Sequence, residues 1–193
     1  MRTSVRSLVF SPHPIRTLSF AVPLALLFVA AGRDADGGWA APITAGVLWW
    51  TFAEYAFHRW LYHLRPRWRP ARSLFDAIHL QHHRQIADRR LWNAGPLLAI
   101  PIAVILAGPV LAVTRDPAVT SRVLLGTVVA YFVYEWAHYA AHAREWRSGP
   151  LAYLQGFHLH HHHGNARECF GVTNPLWDLL FGTAAPRSRW VRR

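Results

Sequence analysis

Apolar residues gather into four stretches, and polar, arginine-rich segments separate them. The stretches cover residues 18–31, 39–57, 94–113 and 123–141. A helix needs about 20 apolar residues to cross the hydrocarbon core of a bilayer, so only the first stretch is short for a span. The pattern predicts an all-α integral membrane protein with about four transmembrane helices.

The first stretch is open to two interpretations. Three arginines precede it, and the end at Val29-Ala30-Ala31 would suit a signal peptidase, so it could be a cleaved signal peptide. A retained helix is favoured because residues 34–38 can form a compact turn into the second stretch.

The arginines predict an orientation. If the N-terminus is cytoplasmic, 18 of the 21 arginines lie on the inner side, and Arg33, Arg115 and Arg122 lie outside. This asymmetry follows the positive-inside rule. The chain contains no lysine, a weak indication of a GC-rich bacterial genome and hence of a bacterial inner membrane. We expect a cytoplasmic tail at 1–17, a membrane domain at 18–183 and a basic tail at 184–193.

Composition excludes other classes of protein. The chain is 52% hydrophobic and 16% charged, with a net charge of +11. The arginines flank apolar stretches and no helix-turn-helix, RNA-binding or zinc-finger pattern is present, so no nucleic-acid partner is expected. Cys169 is the single cysteine, which excludes an internal disulfide and a cysteine-rich metal site.

Short helices are predicted between the stretches, forming a cytoplasmic helical cap. Ser73-Leu74-Phe75-Asp76 resembles a capping box that begins a helix. Ser148-Gly149-Pro150 can begin another, with Gly164 as its stop. Asn174-Pro175 precedes a short turn that Gly182 closes.

Ten of the 13 histidines form four groups with ligand-like spacing. Imidazole is the commonest metal ligand among side chains, and ten exceed what one ion can hold. The sequence therefore predicts two adjacent metals, each with four or five histidines, near the cytoplasmic ends of the second and fourth stretches. The groups are His58 and His63; His79, His82 and His83; His138 and His142; and His158, His161 and His162.

Helical spacing supports this prediction. Positions i, i+3 and i+4 share a helix face, as in the second and fourth groups. His58 and His63 are about 140° apart on an ideal helix, so they need a helix end or two metals between them. His160 and His163 lie off the shared face and are expected to face solvent. His13, in the N-terminal tail, is not expected to be a ligand.

Three carboxylates are candidates for support of the ligands. Glu54 and Glu135 lie within apolar stretches beside histidine groups. Each could accept an imidazole N–H and fix its tautomer, or could pair with Arg59 or Arg144 instead. Asp178 is a weaker candidate.

A histidine-rich, carboxylate-poor site suits iron, zinc or copper. A site beneath the headgroups favours a lipid substrate whose acyl chain enters laterally. A zinc pair could hydrolyse a bond and iron could activate oxygen, but the G-x-S-x-G motif of lipid esterases is absent. A histidine-rich metal transporter or sensor, and a haem-binding membrane cytochrome, are alternatives of other classes.

Taken together, the histidine series resembles the fatty acid hydroxylase superfamily, which includes fatty acid 2-hydroxylases, sterol desaturases and carotenoid hydroxylases. The segments 170–178 and 181–183 are similar to its C-terminal signature. The resemblance covers residues from about 45 to 183 and is closest to the fatty acid 2-hydroxylase branch. Two departures, Phe75 and Tyr134-Glu135, stand where that branch often has histidine and Tyr-Asp.

The resemblance implies that all ten histidines bind two iron ions, for which zinc could substitute. It implies oxygen-dependent hydroxylation of a lipid acyl chain beside the carboxyl or amide carbon, in an apolar groove supplied by the membrane helices. Electrons would come from an external cytochrome b5-, ferredoxin- or reductase-type donor that docks on the arginine-rich face. A desaturase or a sterol or carotenoid oxidase of the same superfamily is the alternative.

Overall fold

The computed structural model describes residues 10–11, 15–34, 36–94 and 96–190, with side chains described for 21–34, 36–93 and 101–190. The fold is helical, as predicted. Two-residue strands are the exception: β1 (Phe10–Ser11) pairs antiparallel with β2 (Asn93–Ala94).

Four long helices form a bundle, and each contains most of one predicted apolar stretch. Within the described residues, only Pro117–Ala143 is long and apolar enough to span a membrane by itself, and Ala21–Ala31 and Pro101–Thr114 are shorter apolar helical segments. The four helices are α1 (Ile15–Ala31), α2 (Ala40–Ala56), α5 (Pro96–Thr114) and α6 (Pro117–Ala143).

Helix α6 is central, since α1, α2 and α5 all pack against it. Its contact with α2 is very close. A Cβ atom added at Gly46 would lie 1.9 Å from the carbonyl oxygen of Val123, and one added at Gly126 would lie 2.1 Å from that of Ile43. Glycine at both positions therefore lets the two backbones touch, which fixes α2 and α6, the helices that carry or precede four of the histidines.

The predicted turn between α1 and α2 is present and Arg122 of α6 holds it. The buried guanidinium donates to the carbonyl oxygens of Gly32 and Gly37, at 2.8 Å each, and lies 4.7 Å from the centroid of the Trp39 ring. A charge buried at this depth is stable only when such acceptors surround it.

The cap lies at one end of the bundle. It contains the π-helical segments π1 (Phe57–Tyr62) and π2 (Asp76–Leu80), 3-10 turns at Arg89–Leu91 and Arg187–Arg189, and four helices. Helix α7 confirms the predicted start after Ser148 and stop at Gly164. The helices are α3 (Arg69–Phe75), α4 (Gln81–Arg84), α7 (Gly149–His163) and α8 (Leu176–Leu180).

The capping box predicted at Ser73 is wrong. Helix α3 begins at Arg69, four residues earlier, after Trp68 in extended backbone and with Pro70 in its first turn. Proline is tolerated in the first turn because the N–H that it lacks has no intrahelical partner there. Asp76 begins the π2 segment instead of ending a first helical turn.

Candidate metal centre

All ten candidate histidines meet at one end of the bundle, in two groups of five. Within each group the ligand atoms lie within 4.8 Å of one another. We call the two groups site A and site B. Site A contains His58, His63, His79, His83 and His161, and site B contains His82, His138, His142, His158 and His162.

Each of the two three-histidine motifs serves both sites. His79 and His83, four residues apart, belong to site A, and His82 belongs to site B. The fourth group mirrors this division: His158 and His162 belong to site B and His161 to site A. The two helical segments therefore lie between the sites, and the shared face that the spacing predicts is wide enough to touch both.

The five-residue separation of His58 and His63 is explained by the backbone. Residues Phe57–Tyr62 form a π-helix, whose wider turn brings positions five apart onto one face. His63 directly follows this segment as its C-cap residue. Both imidazoles belong to site A, so the pair does not lie between two metals.

The distances between Nε2 atoms are those of ligands on a common ion. His142 Nε2 lies 3.1 Å from that of His82, 3.2 Å from that of His138 and 3.0 Å from that of His158. An imidazole nitrogen has one proton or one lone pair, so it cannot form three such hydrogen bonds at once. Two ligands bound at about 2.1 Å and at right angles would be separated by about 3 Å. The geometry of site B therefore fits a metal ion.

The imidazole nitrogens of site A also lie at distances expected for ligands of one ion. The Nε2 atoms of His63 and His161 are 3.1 Å apart, and those of His79 and His83 are 2.8 Å apart. The Nε2 atom of His58 is buried and has no hydrogen-bond partner among the described residues. A buried polar atom of this kind is costly unless something binds it, and an ion held by the other four imidazoles would do so.

Backbone carbonyl groups orient three of the candidate ligands. The Nδ1–H groups of His58, His138 and His161 donate to the carbonyl oxygens of Phe170 at 2.5 Å, Trp92 at 2.6 Å and Glu168 at 2.8 Å. A carbonyl can only accept, so the proton lies on Nδ1 and the lone pair on Nε2. Such bonds fix both the ring orientation and the tautomer that binds metal.

The carboxylate of Glu54 supports the site through a loop. It accepts the N–H of Val172 at 2.5 Å and the N–H and hydroxyl of Thr173 at 2.8 and 2.5 Å. The predicted bond from Glu54 to an imidazole or to Arg59 is therefore replaced by bonds to the segment that follows Phe170.

Asp178 binds the same loop from the other side. Its carboxylate oxygens accept the N–H groups of Phe170 and Gly171, each at 2.8 Å, and the hydroxyl of Thr183 at 2.7 Å. The side chain is fully buried. Asp178 therefore supports the histidines indirectly, by fixing the segment whose Phe170 carbonyl accepts the hydrogen bond from His58.

Glu135 is joined to a residue that sequence analysis missed. The Nδ2 group of Asn93 donates to the Glu135 carboxylate at 2.7 Å and to its backbone carbonyl at 2.9 Å. This bond places Trp92, the acceptor for His138, against helix α6. The sequence carries no signal for Asn93 because the contact depends on how the chain before α5 returns to α6.

The two remaining histidines of the α7 run differ from each other. His163 is exposed, as predicted. His160 was predicted to face solvent, and this is wrong: it is 4% exposed, and its Nε2 lies 3.0 Å from the Glu168 carboxylate. The turn after α7 folds back over this ring. Neither residue belongs to a metal group, and His13 lies outside the described residues.

Burial keeps the cap imidazoles neutral at neutral pH. Desolvation, followed by repulsion from Arg65, lowers the pKa of His63 to about 4. Desolvation, followed by repulsion from neighbouring histidines, lowers the pKa of His83 to about 3. The same causes hold the pKa values of His79, His82 and His161 well below 6.5. Neutral imidazole is the form that binds metal, so these five side chains can bind ions without first losing protons.

Fold and site together define a helical protein with a histidine-built centre for two ions, and comparison gives the family. The fatty acid hydroxylase family model matches residues 43–183. The chain belongs to the fatty acid hydroxylase family and is an oxidoreductase. The family and the enzyme class predicted from the sequence are thus confirmed.

Individual relatives support the assignment. The chain is 29% identical to a dihydroceramide fatty acyl 2-hydroxylase of Arabidopsis thaliana, over 87% of this chain and 74% of that protein. It is 30% identical to a fatty acid 2-hydroxylase of Mus musculus, over 73% of this chain and 38% of that protein. A solved structure of full-length scs7p, with only the hydroxylase domain visible, matches in fold with a TM-score of 0.76 and 23% identity, over 97% of this chain and 71% of that one.

Proposed function

We propose that this chain is a membrane di-iron hydroxylase that places a hydroxyl group on carbon 2 of a lipid acyl chain. The observation that carries the proposal is the convergence of ten imidazoles into two groups of five. The names of the relatives, which are acyl and fatty acid 2-hydroxylases, support the choice of carbon.

Sites A and B would each hold one iron ion. Iron, when bound, supplies the chemistry that activates dioxygen, whereas zinc fits the same imidazoles but is redox-silent. The protein's part is to hold the ligands: carbonyl groups of the cap fix three rings, and burial keeps the imidazoles neutral. The cap also excludes water, since several of these rings, such as His161, are almost completely buried.

The four bundle helices would cross the bilayer, with the cap on the cytoplasmic side. The four apolar stretches and the excess of arginine on the cap side support this orientation. Electrons would come from a cytochrome b5-, ferredoxin- or reductase-type donor. The exposed arginines of the cap would attract an acidic donor.

The test is lipid profiling of a host that expresses the protein, its His82→Ala variant or its His160→Ala variant. His82 belongs to site B, whereas His160 is a buried neighbour outside both sites. We expect wild type and His160→Ala to yield acyl chains with one added oxygen at carbon 2. His82→Ala should give no such product and should lose metal.

Product mass also separates the nearest alternative. A desaturase would remove two hydrogens from the chain and add no oxygen, so products of that mass would overturn the proposal. Hydroxylation that persists in His82→Ala at the wild-type rate would also overturn it, because site B would then not be needed.

A further inference from the structure

Two cavities adjoin in the molecule. One is almost wholly apolar; the other, which we call the polar cavity, adds polar side chains to an otherwise apolar wall. The apolar cavity lies within the four-helix bundle, and its volume of about 500 Å³ includes space that is open to the outside. The polar cavity lies against the histidines, and its volume of about 450 Å³ likewise includes space that is open to the outside. Its wall includes His79 of site A, His82 and His138 of site B, and the polar side chains of Asn93 and Glu135.

The two cavities share Ile102 of α5 and Tyr131 of α6 in their walls. Ile102 is 7% exposed, and the Tyr131 ring packs edge-on against Trp50, with 4.9 Å between the centroids. These two side chains therefore stand between the bundle interior and the metal ligands.

The combined length suits a lipid acyl chain. Leu124, in the wall of the apolar cavity, precedes His138 by 14 residues on helix α6. That separation corresponds to about 21 Å along the helix axis. One leaflet contributes about half of the ~30 Å hydrocarbon core, or about 15 Å, so this separation is long enough for a bilayer acyl chain.

The side chains that line the two cavities indicate in which direction an acyl chain would insert. None of the described residues that line the apolar cavity is charged, so it suits methylene groups. In the polar cavity, tyrosine hydroxyl groups can donate to a carbonyl, and the buried Oδ1 atom of Asn93, which has no hydrogen-bond partner among the described residues, can accept from an amide. A chain inserted tail first would therefore leave its polar end, and the carbon beside it, next to both metal groups.

We propose that the apolar cavity holds the tail of the acyl substrate and that its depth selects chain length. The inference rests on the proposed function, since it names the tail site of that same reaction. Ile102 and Tyr131 form the passage that the chain threads. Ala103 and Phe28, which line the cavity from α5 and α1, set how much chain fits.

Ala103→Phe tests this limit because its ring would occupy part of the cavity. Its control is Val104→Phe, which adds a ring at the next residue of the same helix, where the side chain is 68% exposed. We expect the ratio of long-chain to short-chain hydroxylated product to fall about tenfold in Ala103→Phe. Val104→Phe should keep the wild-type ratio.

Phe28→Ala makes the opposite change, because it removes a ring from the wall. Its product distribution should shift towards longer chains. This second variant keeps the proposal testable if Ala103→Phe fails to fold. Unchanged chain-length distributions in every folded variant would overturn the proposal, as would equal shifts in Ala103→Phe and Val104→Phe.

A binding measurement separates this proposal from the proposed function. Saturated fatty acids of increasing length are added to the purified protein, and the rise in its unfolding temperature is recorded. The longest chain that stabilises the protein should be shorter in Ala103→Phe than in wild type. If the wild type makes no hydroxylated product but the two proteins differ in the longest stabilising chain, the proposed reaction is wrong and the tail site is supported. If product forms and the difference is absent, the tail site is wrong.

Discussion

Residue identity and spacing were sufficient to predict which histidines converge, but not the residues that orient them. The i, i+3, i+4 spacing depends only on local helix geometry, so it could be evaluated from the sequence. The partner of Glu54, in contrast, is a loop 118 residues away. Its burial could be predicted, but which groups satisfy it depends on the tertiary fold.

The loop gives a prediction at the residue scale. Asp178→Asn should weaken metal binding at site A by about 10–100-fold. The carboxylate accepts hydrogen bonds from two backbone N–H groups, and the amide would present its own N–H to one of them. The Phe170 carbonyl, and with it His58, would lose its fixed position. Chelator competition on the purified protein measures the affinity of each ion.

Asp76→Asn is the control for this substitution. Asp76 is a partly exposed residue of the cap whose carboxylate lies 3.5 Å from the Arg84 guanidinium, and such surface pairs contribute little. We expect wild-type affinity at both sites. Equal affinity of Asp178→Asn and Asp76→Asn at site A would mean that the loop does not position His58.

At the scale of the elements, sequence analysis placed the helices well but not their local irregularities. The apolar stretches and the start and stop of α7 were recoverable because capping and hydropathy are local properties. The π1 segment was not, although the five-residue spacing of His58 and His63 showed that an ideal helix was insufficient. Local sequence patterns do not mark a π turn, and in this segment it places His58 and His63 in the same group.

The division of each three-histidine motif gives a prediction for pairs of residues. His79→Ala/His161→Ala removes two ligands of site A that are distant in sequence. It should abolish one ion and leave the other with nearly wild-type affinity. His79→Ala/His82→Ala removes neighbours in sequence that belong to different sites, and should weaken both ions. Metal content per chain and chelator titration distinguish the two outcomes.

The reverse result would contradict the division. If the sequence neighbours weakened one ion and the distant pair weakened two, then each motif would serve a single site. The single variant His160→Ala is the control, because its ring is buried in the same helix but lies outside both groups.

At the scale of the whole molecule, the sequence predicts which end of the bundle faces the cytoplasm, and the fold offers positions at which this can be tested. The turn between α1 and α2 and the cap lie at opposite ends of the bundle, since α2 runs from that turn to the histidines. The natural cysteine should react little with thiol reagents, because Cys169 is fully buried and burial raises the pKa of its thiol to about 12.

Asp36→Cys places a thiol in the turn and Arg167→Cys places one on the cap, both at exposed positions. An impermeant thiol reagent is applied to sealed vesicles of each orientation. We expect Arg167→Cys to react only from the cytoplasmic side and Asp36→Cys only from the opposite side, because 18 of 21 arginines would then lie inside. Reaction of both from the same side would exclude a bundle that crosses the bilayer, and the tail site would then need another source of acyl chains than the surrounding lipid.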